Sequence, residues 1–355
     1  MSDAALLDTA KAVRDGESFD VARTDTWLKE QVSGLIGAPQ VTQFSGGASN
    51  LTYLLKYQNR ELILRRPPFG HVPKGAHDMA REFHIQQALK PVYPAVPDMV
   101  ALCQDSAVMD SDFYVMDRIV GIIPRANLPR GLLLNESQTR ELCLGVIDKL
   151  IDLHQVDHHS AGLAQLGKGD GYVERQIGGW SGRYGKSKTW NVPGWSYVMD
   201  WLKANMPNDI ANVIIHNDFR FDNVVLDADN PMNIIGVLDW EMATLGDPLM
   251  DLGNTLAYWV ESDDDKILQS LRRQPTHLPG MLTRQQVVEY YCDRTGFKTD
   301  NWAFYEVYGL FRLAVIIQQI YYRYHNKQTR NPAFKHFWLA NHYLHWRCKR
   351  VMKNK

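Results

Sequence analysis

Ile215-His216-Asn217-Asp218-Phe219-Arg220-Phe221-Asp222-Asn223 is a polar stretch enclosed by short apolar runs that are rich in β-branched residues. A third run of the same kind ends on Asp239. Such runs predict short β-strands. The order of strand, polar loop, strand and strand would place Asp218, Asn223 and Asp239 at one end of a small sheet. The three runs are residues 212–215, 223–227 and 233–238.

The residue types at this end suit the transfer of a phosphoryl group. That reaction needs a carboxylate near the acceptor hydroxyl and oxygen ligands for the magnesium ions that neutralise the phosphates. We predict that Asp218 accepts or orients the acceptor hydroxyl, and that Asn223 and Asp239 bind Mg²⁺ in the presence of ATP. His216 is predicted to brace the loop, because its ring can donate to a backbone carbonyl or to Asp247.

A glycine-bearing turn earlier in the chain is predicted to cover the ATP phosphates. Residues 41–44, 51–57 and 61–66 predict an antiparallel meander, with this turn between its first two strands. Glycines let the backbone approach phosphates closely, and its N–H groups can donate to them. The predicted contacts are Ser45, Gly46, Gly47, Ser49 and Asn50.

Three further features of the N-terminal part bear on nucleotide binding. Arg65 and Arg66 end the third strand, and alternation along a strand places them on opposite faces, so that only one faces the site. Residues 76–89 have helical spacing and contain Glu82. The strand 112–119 should lead into a hinge whose backbone groups could bind adenine. The hinge residues are Met116, Asp117 and Arg118.

The pattern at His216, Asp218, Asn223 and Asp239, followed by Gly246-Asp247-Pro248-Leu249-Met250-Asp251, resembles the aminoglycoside phosphotransferase family of small-molecule kinases. The resemblance implies an α+β, bilobal protein-kinase-like fold. An N-terminal lobe, residues 1–118, would hold an antiparallel sheet and one main helix. A larger and mainly helical C-terminal lobe, residues 119–355, would hold the catalytic loop, the metal site and the acceptor site.

The same resemblance assigns roles to two charged residues of the N-terminal lobe. Kinases carry a Lys on the third strand that contacts the phosphates and pairs with a Glu on the next helix. Here Arg65 takes the position of that Lys, and Glu82 is its expected partner. Arginine binds phosphate bidentately but is longer and planar, so the phosphate geometry should differ from that of a lysine site.

Other segments resemble the branch of this family that is fused to, or encoded beside, acyl-CoA dehydrogenases. They are residues 64–68, 81–83, 173–176 with Trp180, and 311–314 with Tyr322 and Arg323. This likeness implies a small-molecule acceptor such as a hydroxy acid or hydroxyacyl-CoA, and a functional link to an acyl-CoA dehydrogenase. The candidate acceptor contacts are Arg175, Trp180 and Arg183 in a predicted loop, and Arg312 and Arg323 on a long helix over 302–324.

Two other functions stay open. The acidic run Glu261-Ser262-Asp263-Asp264-Asp265 could attract a polycation, as in an aminoglycoside resistance kinase. Arg65 in place of Lys would also suit a nucleotide-binding protein without catalysis, a pseudokinase. A protein kinase is disfavoured, because no Ala-Pro-Glu segment or activation loop lies between Asp239 and Gly246.

Composition and charge limit the other classes of partner. The 355 residues carry a formal net charge of −1, so we expect no general attraction to nucleic acid or to an anionic membrane. We find neither a secretion signal nor an apolar run of membrane-spanning length. The four cysteines lack paired spacing and are expected to be reduced thiols. A cytoplasmic protein is the resulting expectation.

Overall fold

The computed structural model describes residues 6–44, 50–69 and 77–353. The chain forms two compact units, here called unit 1 and unit 2. The predicted boundary at residue 118 stays a prediction. Unit 1 comprises Met1–Val146, Ser160–Leu163 and Phe221–Met242, and unit 2 comprises Ile147–His159, Ala164–Arg220 and Ala243–Lys355.

Unit 1 contains a five-stranded antiparallel sheet in the order β1-β2-β3-β5-β4. The predicted meander is confirmed, because β1, β2 and β3 pair in sequence order. Alternation along the strands sends side chains to both faces, so that two apolar clusters form. The strands are β1 (Gln40–Gln43), β2 (Leu51–Lys56), β3 (Glu61–Arg66), β4 (Met99–Cys103) and β5 (Phe113–Asp117).

Two helices flank this sheet, α1 (Val21–Gln31) and α2 (Met79–Leu89). Leu28 of α1 packs into one apolar cluster, and Met79 and Phe83 of α2 pack into the other. Helix α2 begins three residues later than the spacing predicted. Asp78 caps it, since its carboxylate accepts from the backbone N–H of Arg81 at 2.9 Å.

A short hairpin completes unit 1. Strands β7 (Val224–Leu226) and β8 (Ile234–Val237) pair antiparallel, with Val224 opposite Val237. An isolated bridge joins Leu226 to Ile122. The β-branched residues of both strands are largely buried, which stabilises so short a hairpin, and the register shifts by one residue between Val225 and Leu226.

The expectation of one small sheet after residue 212 is wrong. Strand β6 (Val213–Ile215) pairs with β9 (Thr244–Gly246) in unit 2, whereas β7 pairs with β8 in a separate two-stranded sheet. Gly246 explains part of the pairing between β6 and β9. A Cβ there would come within 2.6 Å of Ile215 Cδ1, so only glycine allows the β9 backbone to lie this close.

Unit 2 is mainly helical. Helix α3 (Glu136–His154) crosses from unit 1 into unit 2. Helices α6 and α9 pack unusually closely, because Gly253 and Gly309 face each other: a Cβ on Gly309 would lie 2.2 Å from the Gly253 carbonyl. The other helices are α4 (Tyr172–Ser187), α5 (Ser196–Ala204), α6 (Pro248–Leu256), α7 (Lys266–Ser270), α8 (Arg284–Thr295), α9 (Trp302–His325) and α10 (Phe337–Lys353).

The predicted Arg-Trp loop is a helix, α4. Val173, Ile177, Trp180 and Tyr184 recur at spacings of four, three and four, and all are buried. That periodicity outweighs the poor helix propensity of the intervening glycines. In the part of the chain that the structure describes, no helix is both long and apolar enough to cross a membrane.

Candidate active site

The predicted magnesium ligands lie side by side at one end of the β7–β8 hairpin. Asn223 immediately precedes β7, and one residue, Leu238, separates the end of β8 from Asp239. The N–H of Leu238 donates to the Asn223 carbonyl at 2.8 Å, which extends the hairpin pairing to this end. Asp239 has a positive φ of 70°, a conformation that is uncommon outside glycine. Its side chain is 29% exposed, so the carboxylate remains accessible.

The donor set at this end suits magnesium. An Asp carboxylate and an Asn amide are hard oxygen donors, and Mg²⁺ is usually bound through one or two such groups together with substrate phosphates and water. Within the described ranges, no three His, Cys, Asp or Glu side chains form a metal cluster. Because Asn223 and Asp239 are two donors, an octahedral Mg²⁺ held by them would need further oxygen ligands, such as phosphates and water.

Arg65 reaches this end from β3. Its Nη2 lies 2.9 Å from Asp239 Oδ1, and its Nη1 lies 3.9 Å from Glu82 Oε2. The prediction that the two arginines diverge is confirmed, since Arg66 bonds to Asp110. Burial opposes the charge on Arg65, but Tyr114, Asp239 and Glu82 raise the pKa of its guanidinium well above the usual value.

Glu82 connects Arg65 to the polar residues around it. The carboxylate accepts from the Tyr114 hydroxyl at 2.9 Å and from Asn50 Nδ2 at 3.0 Å. Burial raises the pKa of Glu82 more than Arg65 lowers it. Asn50 also donates to Glu241, a residue that the sequence patterns did not single out. The other predicted turn contacts, Ser45, Gly46, Gly47 and Ser49, lie outside the described residues.

The predicted hinge is largely engaged within unit 1. Met116 pairs within the sheet, and the N–H groups of Asp117 and Arg118 donate to the carbonyls of Asp98 and Glu61 at 2.9 and 3.2 Å. The Arg118 side chain also pairs with Glu61 at 2.7 Å. Adenine recognition by this segment stays a prediction, and it would have to use other backbone groups.

The catalytic-loop residues of unit 2 follow β6. His216 is fully buried, and its Nδ1 accepts from the backbone N–H of Asp218 at 3.3 Å. Asp218 is half-buried, and Arg220 Nη2 lies 3.2 Å from its Oδ2. His216 therefore contacts the loop itself, as its predicted bracing role requires, and the Asp218 carboxylate stays partly accessible.

Asp251 anchors the catalytic loop. It is fully buried on α6, and it accepts from the N–H groups of His216 and Asn217, both at 2.8 Å. His154 Nε2 lies 3.1 Å from the same carboxylate, and Tyr291 lies 2.5 Å from His154 Nδ1. Burial opposes ionisation, but the His154 hydrogen bond, the charges of the two histidines and the backbone N–H of His216 bring the pKa of Asp251 below the usual value.

Asp247 has a different role from Asp251. It caps α6 by accepting from Met250 N–H at 2.9 Å, and it accepts from Ile210 N–H at 2.7 Å. Burial raises its pKa despite these backbone bonds. Asp247 therefore acts mainly at the start of α6, whereas Asp251 acts mainly on the loop.

The candidate acceptor residues divide into two groups. Arg183 and Arg312 lie over the Trp180 ring, at 4.4 and 5.2 Å from its centroid. Arg175 donates to two carbonyls of the loop before α4, and Arg323 is exposed, three turns beyond Arg312. The structure thus brings Trp180, Arg183 and Arg312 together, and it places Arg175 and Arg323 elsewhere in unit 2.

Three residues that the sequence patterns did not single out support the loop: Tyr172 and Asn254 bond to Asn217, and His154 bonds to Asp251. Asn254 follows Asp251 by three positions, so a helix places both on one face. His154 is the last residue of α3, a buried polar side chain among mostly apolar buried positions of that helix. Tyr172 carries no motif that could have identified it.

The fold and these site residues define a protein-kinase-like phosphotransferase. The model of the phosphotransferase enzyme family, APH, matches residues 40–285, so the chain belongs to this family. The predicted enzyme class, a phosphotransferase with a hydroxyl acceptor, is thereby confirmed.

Relatives and solved structures agree with this assignment. The chain is 33% identical to acyl-CoA dehydrogenase family member 10 of Mus musculus over 83% of its own length and 28% of that protein. It is 31% identical to family member 11 of Homo sapiens over 86% of its length and 40% of that protein. The chain therefore spans well under half of these relatives.

Two solved structures illustrate the fold. A Ralstonia eutropha JMP134 protein provisionally classed as an aminoglycoside phosphotransferase matches with a TM-score of 0.81 and 26% identity, covering 95% of this chain and 99% of its own. The choline kinase of Cryptosporidium parvum matches with a TM-score of 0.64 and 12% identity, covering 94% and 97%, which bears on the fold alone. The predicted bilobal, protein-kinase-like α+β fold is confirmed.

Proposed function

We propose that this chain transfers a phosphoryl group from ATP, with Mg²⁺, to a hydroxyl group of a small acceptor. One observation carries the proposal: Asn223 and Asp239 lie together at the end of the β7–β8 hairpin, and the phosphate-binding candidate Arg65 lies 2.9 Å from Asp239. A carboxylate, an amide oxygen and a fixed cation are the groups that phosphoryl transfer needs around a metal-bound triphosphate.

Each residue on the nucleotide side has a role in this proposal. When bound, Mg²⁺ would neutralise charge on the phosphates, and Asn223 and Asp239 would hold it. Arg65 would donate to the phosphate oxygens, because its guanidinium fork matches their geometry. Glu82 and Asn50 would keep Arg65 at this end, through the ion pair and the hydrogen bond described above.

On the acceptor side, Asp218 would accept or orient the proton of the acceptor hydroxyl. Its carboxylate is partly exposed, and Arg220 Nη2 lies 3.2 Å from one of its oxygens. His216 and Asp251 hold the loop that carries it, through the hydrogen bonds at 3.3 and 2.8 Å. Catalysis would rest on positioning and charge neutralisation rather than on a covalent intermediate.

For the acceptor we propose a hydroxy acid or its CoA thioester. The relatives named acyl-CoA dehydrogenase support this class, and a functional link to such an enzyme belongs to the same proposal. In unit 2, Arg183 is exposed and lies over the Trp180 ring, so an anionic group and an apolar chain could both find contacts there.

A panel of acceptors tests the proposal. ADP release would be measured with and without Mg²⁺ for hydroxy acids, their CoA thioesters, choline and kanamycin. We expect magnesium-dependent turnover on a hydroxyacyl compound. Asp218→Asn should lower it by about 10²–10⁴-fold, the usual contribution of a positioned acid or base. Asp229→Asn, an exposed aspartate in the turn after β7, should retain activity. Equal turnover by both variants would remove Asp218 from this role.

Two other functions remain as outcomes of this panel. Turnover on kanamycin alone would favour a resistance kinase, although Asp264 of the acidic run already pairs with Arg284 at 2.6 Å. A pseudokinase is favoured by the engagement of Asp239 with Arg65. Thermal stabilisation by Mg²⁺-ATP without ADP release on any acceptor would support that second candidate.

A further inference from the structure

Asn217, between His216 and Asp218, has a backbone conformation that is costly for most residues. Its φ is +66°, in the left-handed region, and it is buried. Asparagine tolerates this region better than other side chains do, but non-glycine residues remain there only where the surroundings hold them. The surroundings of Asn217 must therefore hold it in this conformation.

Helices α4, α6 and α9 all contribute partners to Asn217. Its N–H donates to Asp251 at 2.8 Å, and its carbonyl accepts from Arg312 Nη2 at 2.8 Å. Its side-chain oxygen accepts from the Tyr172 hydroxyl at 3.1 Å and from Asn254 Nδ2 at 3.2 Å. Backbone and side chain are both held, so the conformation is fixed from several directions.

The peptide group that joins Asn217 to Asp218 is held at both ends. Its carbonyl oxygen accepts from Arg312, and its N–H donates to His216 Nδ1 at 3.3 Å. The orientation of this peptide plane sets the backbone from which the Asp218 side chain projects. A rotation of the plane would break both bonds and move the carboxylate.

We propose that Arg312 and Asn217 are positioning residues for Asp218, with Arg312 fixing the Asn217–Asp218 peptide and Asn217 supplying the left-handed turn. This inference rests on the proposed function of Asp218. It gives Arg312 a role different from the acceptor contact predicted from the sequence.

The surroundings of Arg312 support a structural anchor rather than a free binding group. The side chain is 4% exposed, and its guanidinium lies 5.2 Å from the Trp180 ring centroid. Within the described ranges, no carboxylate forms an ion pair with it. A buried cation needs polar partners, and here the Asn217 carbonyl and the aromatic face provide them.

The close packing of α6 and α9 fixes the positions of the side chains that hold Asn217. Asp251 and Asn254 lie on α6 and Arg312 lies on α9, and the two helices meet at the Gly253–Gly309 contact. Because a side chain at either glycine would push the helices apart, their spacing is tightly defined. The groups that hold the two sides of Asn217 therefore have a fixed separation.

Two measurements on the whole chain test the proposal, namely hydrogen exchange of the peptide over 214–220 and steady-state kinetics. Arg312→Met should speed exchange of the loop amides about tenfold, the change that follows the loss of one hydrogen bond to a charged group. It should also lower kcat by about 100-fold, as expected for a misplaced catalytic group. The KM for ATP should change less than about twofold, because the substitution should not alter the binding that ATP makes equally in the ground state and the transition state.

Matched variants separate this role from packing. Arg294→Met removes another guanidinium near an aromatic ring, on α8, and should alter neither exchange nor kinetics. Arg183→Met removes the other cation over Trp180, and loop exchange should stay at the wild-type rate. Arg312→Lys should restore part of the protection and part of kcat, because it keeps a charged donor.

Substitutions at Asn217 test the backbone part of the proposal and do not depend on Arg312 variants folding. Asn217→Gly and Asn217→Ala both lose the side-chain bonds, but only glycine adopts the left-handed region without strain. We expect Gly to retain about tenfold more kcat than Ala, the equivalent of the cost of a Cβ in this region. Equal values for the two variants would contradict the proposal.

The outcomes distinguish this inference from the proposed function. Wild-type loop exchange in Arg312→Met overturns the inference, and a selective rise in acceptor KM with that result would assign Arg312 to the acceptor. If the wild-type chain turns over no acceptor, the proposed function fails, but the exchange of the Arg312 and Asn217 variants still decides whether these residues hold the loop.

Discussion

The candidate nucleotide-binding residues of unit 1, here called the nucleotide side, and the predicted catalytic loop of unit 2 are held by different interactions. In unit 1, Arg65 joins Glu82 and Asp239 by ion contacts of 3.9 and 2.9 Å, and the Asp239 side chain is 29% exposed. In unit 2, the fully buried Asp251 accepts two backbone N–H groups at 2.8 Å, and Arg312 holds the next carbonyl.

This difference follows from what each part has to do. Groups that bind a nucleotide and a metal must exchange partners when the ligand arrives, and partly exposed ion pairs can do so at modest cost. A catalytic carboxylate must keep its position in every state, and buried hydrogen bonds to the backbone provide that because breaking them leaves unsatisfied polar groups. The nucleotide side should therefore respond to ligands, and the loop anchors should not.

The largest expected effect lies on the loop side. Asp251→Asn replaces a buried carboxylate that accepts from His216, Asn217 and His154. An amide has one oxygen acceptor and would present N–H groups to other donors. We expect the free energy of unfolding to fall by about 3–5 kcal/mol at neutral pH, as when one partner of a buried charged pair is removed. Chemical denaturation measures the loss.

The pH dependence of this loss identifies its cause. The pKa of Asp251 is lowered in the folded chain, so its stabilisation is complete above the unfolded value of about 3.9 and is lost as the pH falls through the folded pKa. The difference between wild type and Asp251→Asn should therefore shrink below about pH 4. Asp148→Asn, at a more exposed hydrogen-bonded carboxylate, is the control. A constant difference from pH 3 to 7 would contradict this account.

Much of the comparison could be anticipated from the sequence, because its parts are local patterns. The meander that carries Arg65 follows from alternation and turn residues, and the helix with Glu82 follows from its helical spacing. The apolar runs next to Asn223 and Asp239 also predict strands, although their pairing as a separate hairpin was not anticipated. Side-chain alternation on β3 also separates Arg65 from Arg66 correctly. The sequence therefore predicts the sign of each charge on the nucleotide side and the approximate position of each charged residue.

The residues that hold the catalytic loop could not be predicted from the sequence in the same way. The bonds to Asn217 join residues 34 to 95 positions apart in the chain, and no local rule pairs such residues. Helix α4 was missed because glycines interrupt its sequence. In the structure, a Cβ at Gly178, Gly179, Gly182 or Gly185 would meet no atom within 4 Å, so those glycines are not needed for packing. The buried spacing of Ile177, Trp180 and Tyr184 was the better signal.

On the nucleotide side, we expect a substitution to lower the free energy of unfolding less than Asp251→Asn does. We expect the same substitution to change the stabilisation by ligand more. Arg65→Met leaves the carboxylates of Glu82 and Asp239 without their cation. We expect a loss of about 2–3 kcal/mol without ligand, less than for a fully buried pair because Asp239 is partly exposed. The stabilisation by excess Mg²⁺-ATP should also fall by about 1–2 kcal/mol, because a tenfold weaker affinity lowers it by 1.4 kcal/mol.

Variants of the two regions should differ most in how strongly Mg²⁺-ATP stabilises them. Arg65→Lys should recover most of the ligand response, since lysine also binds phosphates as a point charge. Asp251→Asn should be stabilised by Mg²⁺-ATP as much as the wild type is, although its baseline stability is lower. If Mg²⁺-ATP stabilised Arg65→Met as strongly as the wild type, the nucleotide side would not depend on Arg65, and the comparison would fail.

The smallest effect should come from a more exposed ion pair of unit 1, which does not include Arg65. Arg60 pairs bidentately with Asp117, at 2.8 and 2.7 Å, but both side chains are about one-third exposed. Solvent screening limits such a pair, so Arg60→Met should lower the free energy of unfolding by at most about 1 kcal/mol, and less in high salt. Denaturation of this variant and of Arg65→Met in low and high salt compares the two arginines directly. A loss at Arg60 as large as that at Arg65 would mean that burial beside Glu82 and Asp239 does not distinguish the site from the surface.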